Sequence, residues 1–359
     1  MSILFILVAF FLLILCSLIL ALFFSKAGST PPYFQERIFW RLGSQVVWLL
    51  AIGVLVGVPV FLGIAMSSAG MSAGVVQVIF RNGLEIALVA LPCALLLARG
   101  QFDMSTAGVV AVCSVVLIAV GNKESFVVGC AAALGIGLLM GVINGLIVSI
   151  SRLSSVIVTF AVGSLLVGIA RWISDDRALT FDLSGSYAGI SNILAWLVLL
   201  IEIIGLFVLA EFTSLGRRGK VPSYTEGVRF RLLTAGIPLV ISALASGVLA
   251  IHFVTYVRTF GGGGSFDWRF LLSLLAAVMG GTVYGSNHAA IVGTCFAAFY
   301  ASAMRTLIEV LVAPPYLEPL LLSAALLTFA LVGLQYHNLV AWLHHRRQPK
   351  TPLPGFPVQ

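Results

Sequence analysis

Ala276–Thr294 reads AAVMGGTVYGSNHAAIVGT. It lies between two apolar runs, Phe270–Met279 and Ala289–Leu311. Its middle is small and polar: Gly280, Gly281, Thr282, Tyr284, Gly285, Ser286, Asn287 and His288. Glycine lets a helix end, or two backbones meet, at low steric cost. Inside a membrane such a break survives only where protein or a water-filled cavity satisfies the freed backbone groups. A tight turn between two helices would read the same way, so the rest of the chain decides what the break is for.

Of the 359 residues, 60% are hydrophobic and only 9% are charged. Soluble domains carry about 25% charged residues, and a chain with so few cannot cover a water-facing surface of this size. The expected fold is an all-α polytopic membrane protein. The net charge of +7 is not read as a nucleic-acid footprint, because basic residues collect at the cytoplasmic ends of membrane spans. Lipid is the implied surroundings and nucleic acid is not an expected partner. Cys16, Cys93, Cys113, Cys130 and Cys295 are scattered through apolar runs without metal or redox spacing, and read as packing residues.

Ile3–Phe24 is apolar over a membrane-spanning length. No basic residue precedes it and its apolar core exceeds that of a signal peptide, so a retained span is expected. Lys26–Arg41 is a basic, aromatic linker suited to the membrane interface. Further spans are read at Gln45–Met66, Leu84–Ala98, Ala107–Gly121, Phe126–Ile150, Val156–Ile173 and Ile190–Phe212. Leu232–Tyr256, Phe270–Met279, Ala289–Leu311 and Leu317–Leu343 complete the set. That makes about 10–11 transmembrane helices, some too short for a simple crossing of about 20 residues. The chain divides into residues 1–43, the extra span and linker; 44–345, the transmembrane domain; and 346–359, a Pro-rich tail expected to be disordered.

The basic stretch Ser214–Arg231 and the tail residues Arg346, Arg347 and Lys350 are separated by four segments, which places both on one side. The positive-inside rule makes that side cytoplasmic. Counting back puts Gly121–Ser125, Ser174–Gly189 and Arg258–Arg269 together on the outside, with the C-terminus in the cytoplasm.

The break at Gly280–Asn287 has a counterpart. Leu84–Ala98 is followed by RGQFDMSTAG, Arg99–Gly108, and then by another apolar run. The two halves therefore each contain an apolar hairpin with a Gly-rich polar hinge, and matched interruptions point to a substrate pathway or gate. Two unrelated turns remain the plainer reading. Asp103, costly if it met lipid, is expected to face a cavity, a partner charge or helix N-terminal amides, with Ser105 or Thr106 capping the following helix. It reads equally as a cap alone. Glu85 is expected to pair with nearby Arg81, and Arg305 with Glu309 at i and i+4. Asn144, among the small residues of GVINGLIVS, is suited to hydrogen-bond across a close helix interface.

Three stretches, in this order, resemble the permease subunits of bacterial ABC importers for ribose and related monosaccharides. RGQFDMSTAG resembles that family's Gly-Gly-Ile-Asp-Leu-Ser-Val-Gly segment, with Asp103 and Ser105 in place. Gly141–Arg171 resembles the helix, short basic loop and helix that follow it. Phe266–Thr294 resembles the Gly-Gly-Thr-Ser-Leu-x-Gly-Gly segment through Gly280, Gly281, Thr282 and Gly285. The resemblance spans about residues 45–343 and its Asp-x-Ser pattern fits the sugar branch. It implies a translocation pathway or gate shaped by Asp103, Ser105, Asn144, Gly280, Gly281, Thr282 and Gly285. It also implies a dimer with a second permease copy or paralogue, two cytoplasmic cassette ATPase subunits, and a periplasmic or extracellular solute-binding protein, all at the bacterial inner membrane. The family's ATPase-coupling loop maps onto Tyr224, Glu226, Gly227, Arg229 and Arg231, in a stretch shorter than the family's. The span Ile3–Phe24 is an addition to the family's set.

The chain has no GxxxxGK[ST] phosphate loop, so ATP is expected on a separate subunit. No HExxH, GxSxG or clustered metal ligands occur, and neither enzyme chemistry nor a cofactor or metal of its own is expected. A permease-derived scaffold that has lost transport is the alternative, motivated by the short coupling loop and the extra span. An ion-driven carrier ranks last for want of intramembrane carboxylates.

Overall fold

A computed structural model describes residues 48, 50–67, 70, 72–151, 153–182, 187–212, 228–261, 267–286, 288–311 and 316–347. The span Ile3–Phe24, the linker Lys26–Arg41, Arg152 and residues 348–359 lie outside these residues, as do Tyr224, Glu226 and Gly227; Arg346 and Arg347, expected in the disordered tail, end the last helix instead.

Eleven helices are present among the described residues. A π-helical turn, Gly53–Gly57, leads into α1 (Val58–Ala65). Then follow α2 (Ala73–Ala98), α3 (Thr106–Lys123), α4 (Phe126–Ser151), α5 (Ser155–Ile173) and α6 (Tyr187–Phe212). The short α7 (Val228–Arg231) runs through a second π-helical turn, Leu232–Gly236, into α8 (Ile237–Val257). The last three are α9 (Asp267–Met279), α10 (Ile291–Val310) and α11 (Leu317–Arg347). Seven helices among the described residues are long and apolar enough to cross a membrane, and the protein is an all-α polytopic membrane protein.

The fold is built around α2. From Asn82 to Ala98 every residue of this helix is buried, against α10, α9, α8 and α6. A helix that is apolar nearly all round is the kind a bundle swallows. The sequence reading starts this span at Leu84, but α2 begins at Ala73, where Ser72 Oγ accepts the Val75 amide at 3.4 Å. Gln77, Arg81 and Asn82 interrupt the apolar run, yet the helix continues because neighbouring helices supply partners. Arg81 lies 3.9 Å from the ring centroid of Tyr256 on α8. A second apolar cluster joins α3, α4, α5 and α8. There α4 runs antiparallel to α8, with Gly137, Gly141 and Gly145 meeting Ala243, Val240 and Gly236 in turn. Lipid-length helices α4, α5 and α6 turn many large apolar side chains outward, among them Leu139, Phe160 and Ile201.

The three loops assigned to one side meet at one end of the bundle. β1 (Ala178–Thr180) pairs antiparallel with β2 (Thr259–Gly261), Leu179 opposite Phe260. Asn122, at the end of α3, donates to Thr180 O at 2.8 Å and accepts from Asp182 N at 3.0 Å. This agreement supports the segment count that placed these loops together. The opposite direction along α2 and α9 leads to the two interruptions.

Candidate functional site: the junction of two interrupted helices

α2 and α9 run side by side in the same direction. Glu85 of α2 binds Arg269 of α9, and about three turns further along each helix both chains break. The two breaks close in the same way. The amides of Gly100 and Gln101 bond back to Leu97 O and Leu96 O, and those of Gly281 and Thr282 to Val278 O and Ala277 O. This is the paired C-terminal cap that needs a left-handed residue one position beyond the helix. Gly100 has φ +68° and Gly281 φ +98°, so the glycines sit where a side chain would strain the backbone. The matched hinge read from the sequence is thus a matched pair of helix ends.

The breaks also touch. Gly285 N donates to Leu97 O at 3.0 Å, and the Tyr284 hydroxyl donates to Gly100 O at 2.9 Å. The rings of Phe102 and Tyr284 stack with centroids 5.3 Å apart. Around them the backbone groups freed by the first break are satisfied by protein. Phe102 N donates to Ser155 Oγ at 3.0 Å and Met104 N to Thr159 Oγ1 at 2.9 Å.

Asp103, Ser105 and Asn144 come together. The carboxylate oxygen Oδ1 of Asp103 accepts the Ser105 amide at 2.8 Å and its hydroxyl at 2.5 Å. Asn144, on α4, donates to the same hydroxyl at 2.8 Å. All three are buried. The capping assignment changes here: Ser105 makes no side-chain cap on α3, and its hydroxyl turns to Asp103 instead. Asp103 takes the amide next to the helix start, where the unpaired N–H groups favour a carboxylate.

Gly280, Gly281, Thr282 and Gly285 belong to the second break. Thr282 Oγ1 accepts the Ala290 amide at 3.0 Å, which closes the loop onto α10. Trp48 Nε1 donates to Met279 O at 2.7 Å, fixing the end of α9 from outside. A Cβ on Gly280 would stand 2.4 Å from Thr294 N, so only glycine lets α9 and α10 approach this closely. Of the seven residues assigned to the pathway, Asp103, Ser105 and Asn144 cluster at the first break, while Gly280, Gly281, Thr282 and Gly285 belong to the second, which touches the first through Gly285 and Tyr284. Arg231, assigned to the coupling loop, is 5% exposed and belongs to the bundle interior. Arg229 lies in α7, with its side chain outside the described residues.

The sequence reading paired Glu85 with Arg81, and this is corrected. Glu85 Oε2 accepts from Arg269 Nη2 at 2.8 Å and Nε at 3.0 Å, and Oε1 lies 3.4 Å from His252 Nδ1. Arg81 and Glu85 are one turn apart, but α9 brings a cation to the buried side of α2 while Arg81 turns to Tyr256. Arg305 does pair with Glu309 at 2.8 Å, and also with Glu318 of α11 at 2.9 Å. Neither His252 nor Arg269 was singled out as a partner from sequence. The available signal was a single basic residue, Arg269, just ahead of the apolar run Phe270–Met279.

No family model matches the chain, and no solved structure matches it. Curated proteins do. The autoinducer 2 import system permease protein LsrD of Photorhabdus temperata is 23% identical over 339 residues, covering 87% of this chain and 99% of that protein. The galactofuranose transporter permease protein YtfT of Escherichia coli K12 is 24% identical, covering 72% of this chain and 79% of that protein. The autoinducer 2 import system permease protein LsrC of an Enterobacter species is 26% identical, covering 77% and 83%. Alignment over nearly the whole of a relative, with the span pattern of a polytopic permease, is what common descent of the transmembrane domain leaves. At 23–26% identity the chain is similar over most of its length to permease proteins of autoinducer 2 and galactofuranose import systems.

Proposed function

We propose that the chain is the translocating permease subunit of an ATP-driven importer for a monosaccharide or a similar small polar solute. It works as a dimer with a second permease copy or paralogue. Cassette ATPase subunits bind the ATP, and an external solute-binding protein delivers the solute. The basic stretch 214–231 and the C-terminus face the cytoplasm, and Tyr224, Glu226, Gly227 and Arg229 lead to the ATPase, with the buried Arg231 holding the end of that stretch in the bundle.

The observation that carries this reading is the meeting of the two matched helix breaks through Tyr284 and Gly100. Broken helices at the contact between two related halves are how transporters build a pathway whose walls can separate. Asp103, Ser105, Asn144 and Gly280–Gly285 line its gate. The relatives' names, import permeases for autoinducer 2 and galactofuranose, support the solute class.

The test is uptake by the purified complex in proteoliposomes. Labelled ribose, galactofuranose and autoinducer 2 are offered with ATP and the binding protein. Accumulation of one of them that stops with a non-hydrolysable ATP analogue is expected. A complex containing an active ATPase that accumulates none of the polar solutes offered, over a broad panel of sugars, would refute the reading.

A further inference from the structure

The two interruptions share their helix ends but differ in how they are fastened. In the first, the amides of Gln101, Phe102, Met104 and Ser105 all have acceptors: Leu96 O, Ser155 Oγ, Thr159 Oγ1 and Asp103 Oδ1. Two of these acceptors belong to α5, and Asn144 adds a fastening from α4. Just beyond, α3 lies so close to α5 that a Cβ on Gly108 would stand 2.3 Å from Gly163 O. Asp103, Ser105, Ser155 and Thr159 are all buried. The first interruption is therefore tied to two helices that take no part in the second.

The second interruption is held at its base by Trp48, against Met279 O and Gly281, and is otherwise closed on itself and on the start of α10. Ser286 N donates to Val283 O at 3.2 Å, and Ala290 N to Thr282 Oγ1 at 3.0 Å. Towards the first interruption it reaches with Gly285 N on Leu97 O, the Tyr284 hydroxyl on Gly100 O, and the Tyr284 ring on Phe102. Tyr284 is 58% exposed, so the bundle covers only part of its side chain.

We infer that the two interruptions have different roles. The first is a fixed anchor, and residues 281–286 are the moving side of the gate, with Tyr284 as the latch that rests on Gly100 and Phe102. This deepens the transport reading above and rests on it. A gate needs an element of low local stability. The most exposed contact of the junction is the one the second interruption makes, Tyr284 on Gly100, and it can be given up without unfolding the bundle.

The experiment is hydrogen exchange of the full chain in lipid nanodiscs, read by mass spectrometry. Peptides covering 281–286 are expected to exchange at least about tenfold faster than those covering 101–105. Tyr284→Ala is expected to accelerate 281–286 further, by about threefold or more, and leave 101–105 unchanged. Equal exchange of the two segments, or acceleration of both by Tyr284→Ala, would overturn the assignment. The latch is tested separately in the importer complex, in a cysteine-free background. Crosslinking Phe102→Cys to Tyr284→Cys should stop uptake, and reducing the crosslink should restore it. Uptake that survives the Phe102–Tyr284 crosslink overturns the latch. A complex without uptake even before crosslinking counts against the transport reading, and the exchange contrast still decides which interruption moves.

Discussion

Glu85 and Arg269, 184 positions apart in the chain, form a buried ion pair in which one carboxylate oxygen accepts both Nη2 at 2.8 Å and Nε at 3.0 Å. His252 closes the other side of the carboxylate at 3.4 Å, and the Phe253 ring lies 4.6 Å from the guanidinium carbon. The pair holds α2 parallel to α9 at one level, and Tyr284 with Gly100 joins them at another. Removing one partner leaves the other charge buried and unpaired, which costs about 3–5 kcal/mol. Glu85→Met and Arg269→Met are each expected to lower the thermal unfolding midpoint in detergent markedly. The double variant should recover most of the loss, because a well-packed apolar pair replaces both charges.

The helix break after α9 depends on two glycines for different reasons. Gly281→Ala places a Cβ on a residue with φ +98°, for a loss of about 1 kcal/mol or more. Gly280→Ala drives a methyl group into the Thr294 backbone at 2.4 Å. It must push α9 away from α10, for about 1–3 kcal/mol. Thermal shift of the two single variants should rank Gly280→Ala as the worse. The opposite order would mean that helix approach matters less than backbone conformation here.

Ser105 joins Asp103 to Asn144, and its loss breaks both contacts at once. Ser105→Ala is expected to cost about 1–3 kcal/mol, since it leaves buried polar groups without partners. Asn144→Leu should cost about 1 kcal/mol, the scale of an interhelical hydrogen bond in a membrane. A double-mutant cycle should give a coupling of about 0.5 kcal/mol or more, and strict additivity would mean that the two residues act independently.

Trp48 donates its indole N–H to Met279 O at 2.7 Å, at the last residue of α9. Trp48→Phe keeps most of the ring's bulk and removes the donor. A loss of about 1 kcal/mol is expected, with faster hydrogen exchange at Gly280 and Gly281. Unchanged exchange there would show that the cap of α9 stands without Trp48.

Much of this architecture was legible because membrane folds leave coarse signals. Apolar run length placed the spans, and Gly280–Gly281 and Arg99–Gly100 marked the two breaks through the residue type that a left-handed cap demands. What the sequence hid was long-range. Glu85 had Arg81 one turn away on its own helix, and only the packing of α9 on α2 reveals Arg269 as its partner. The start of α2 was hidden for the same reason, since Arg81 and Asn82 look like the end of a span until Tyr256 and the buried core are in place. The stacking of Phe102 on Tyr284, which turns two hinges into one junction, needed both halves in space.

In the proposed importer a separate ATPase drives this transmembrane domain. The most direct measurement is gentle detergent extraction from the native membrane, followed by mass spectrometry of the purified complex. A cassette ATPase in stoichiometric amount, together with a second permease chain, is the predicted result. A stable assembly that contains the chain and no ATPase would contradict it, and would mean that the fold serves a structural role in another complex.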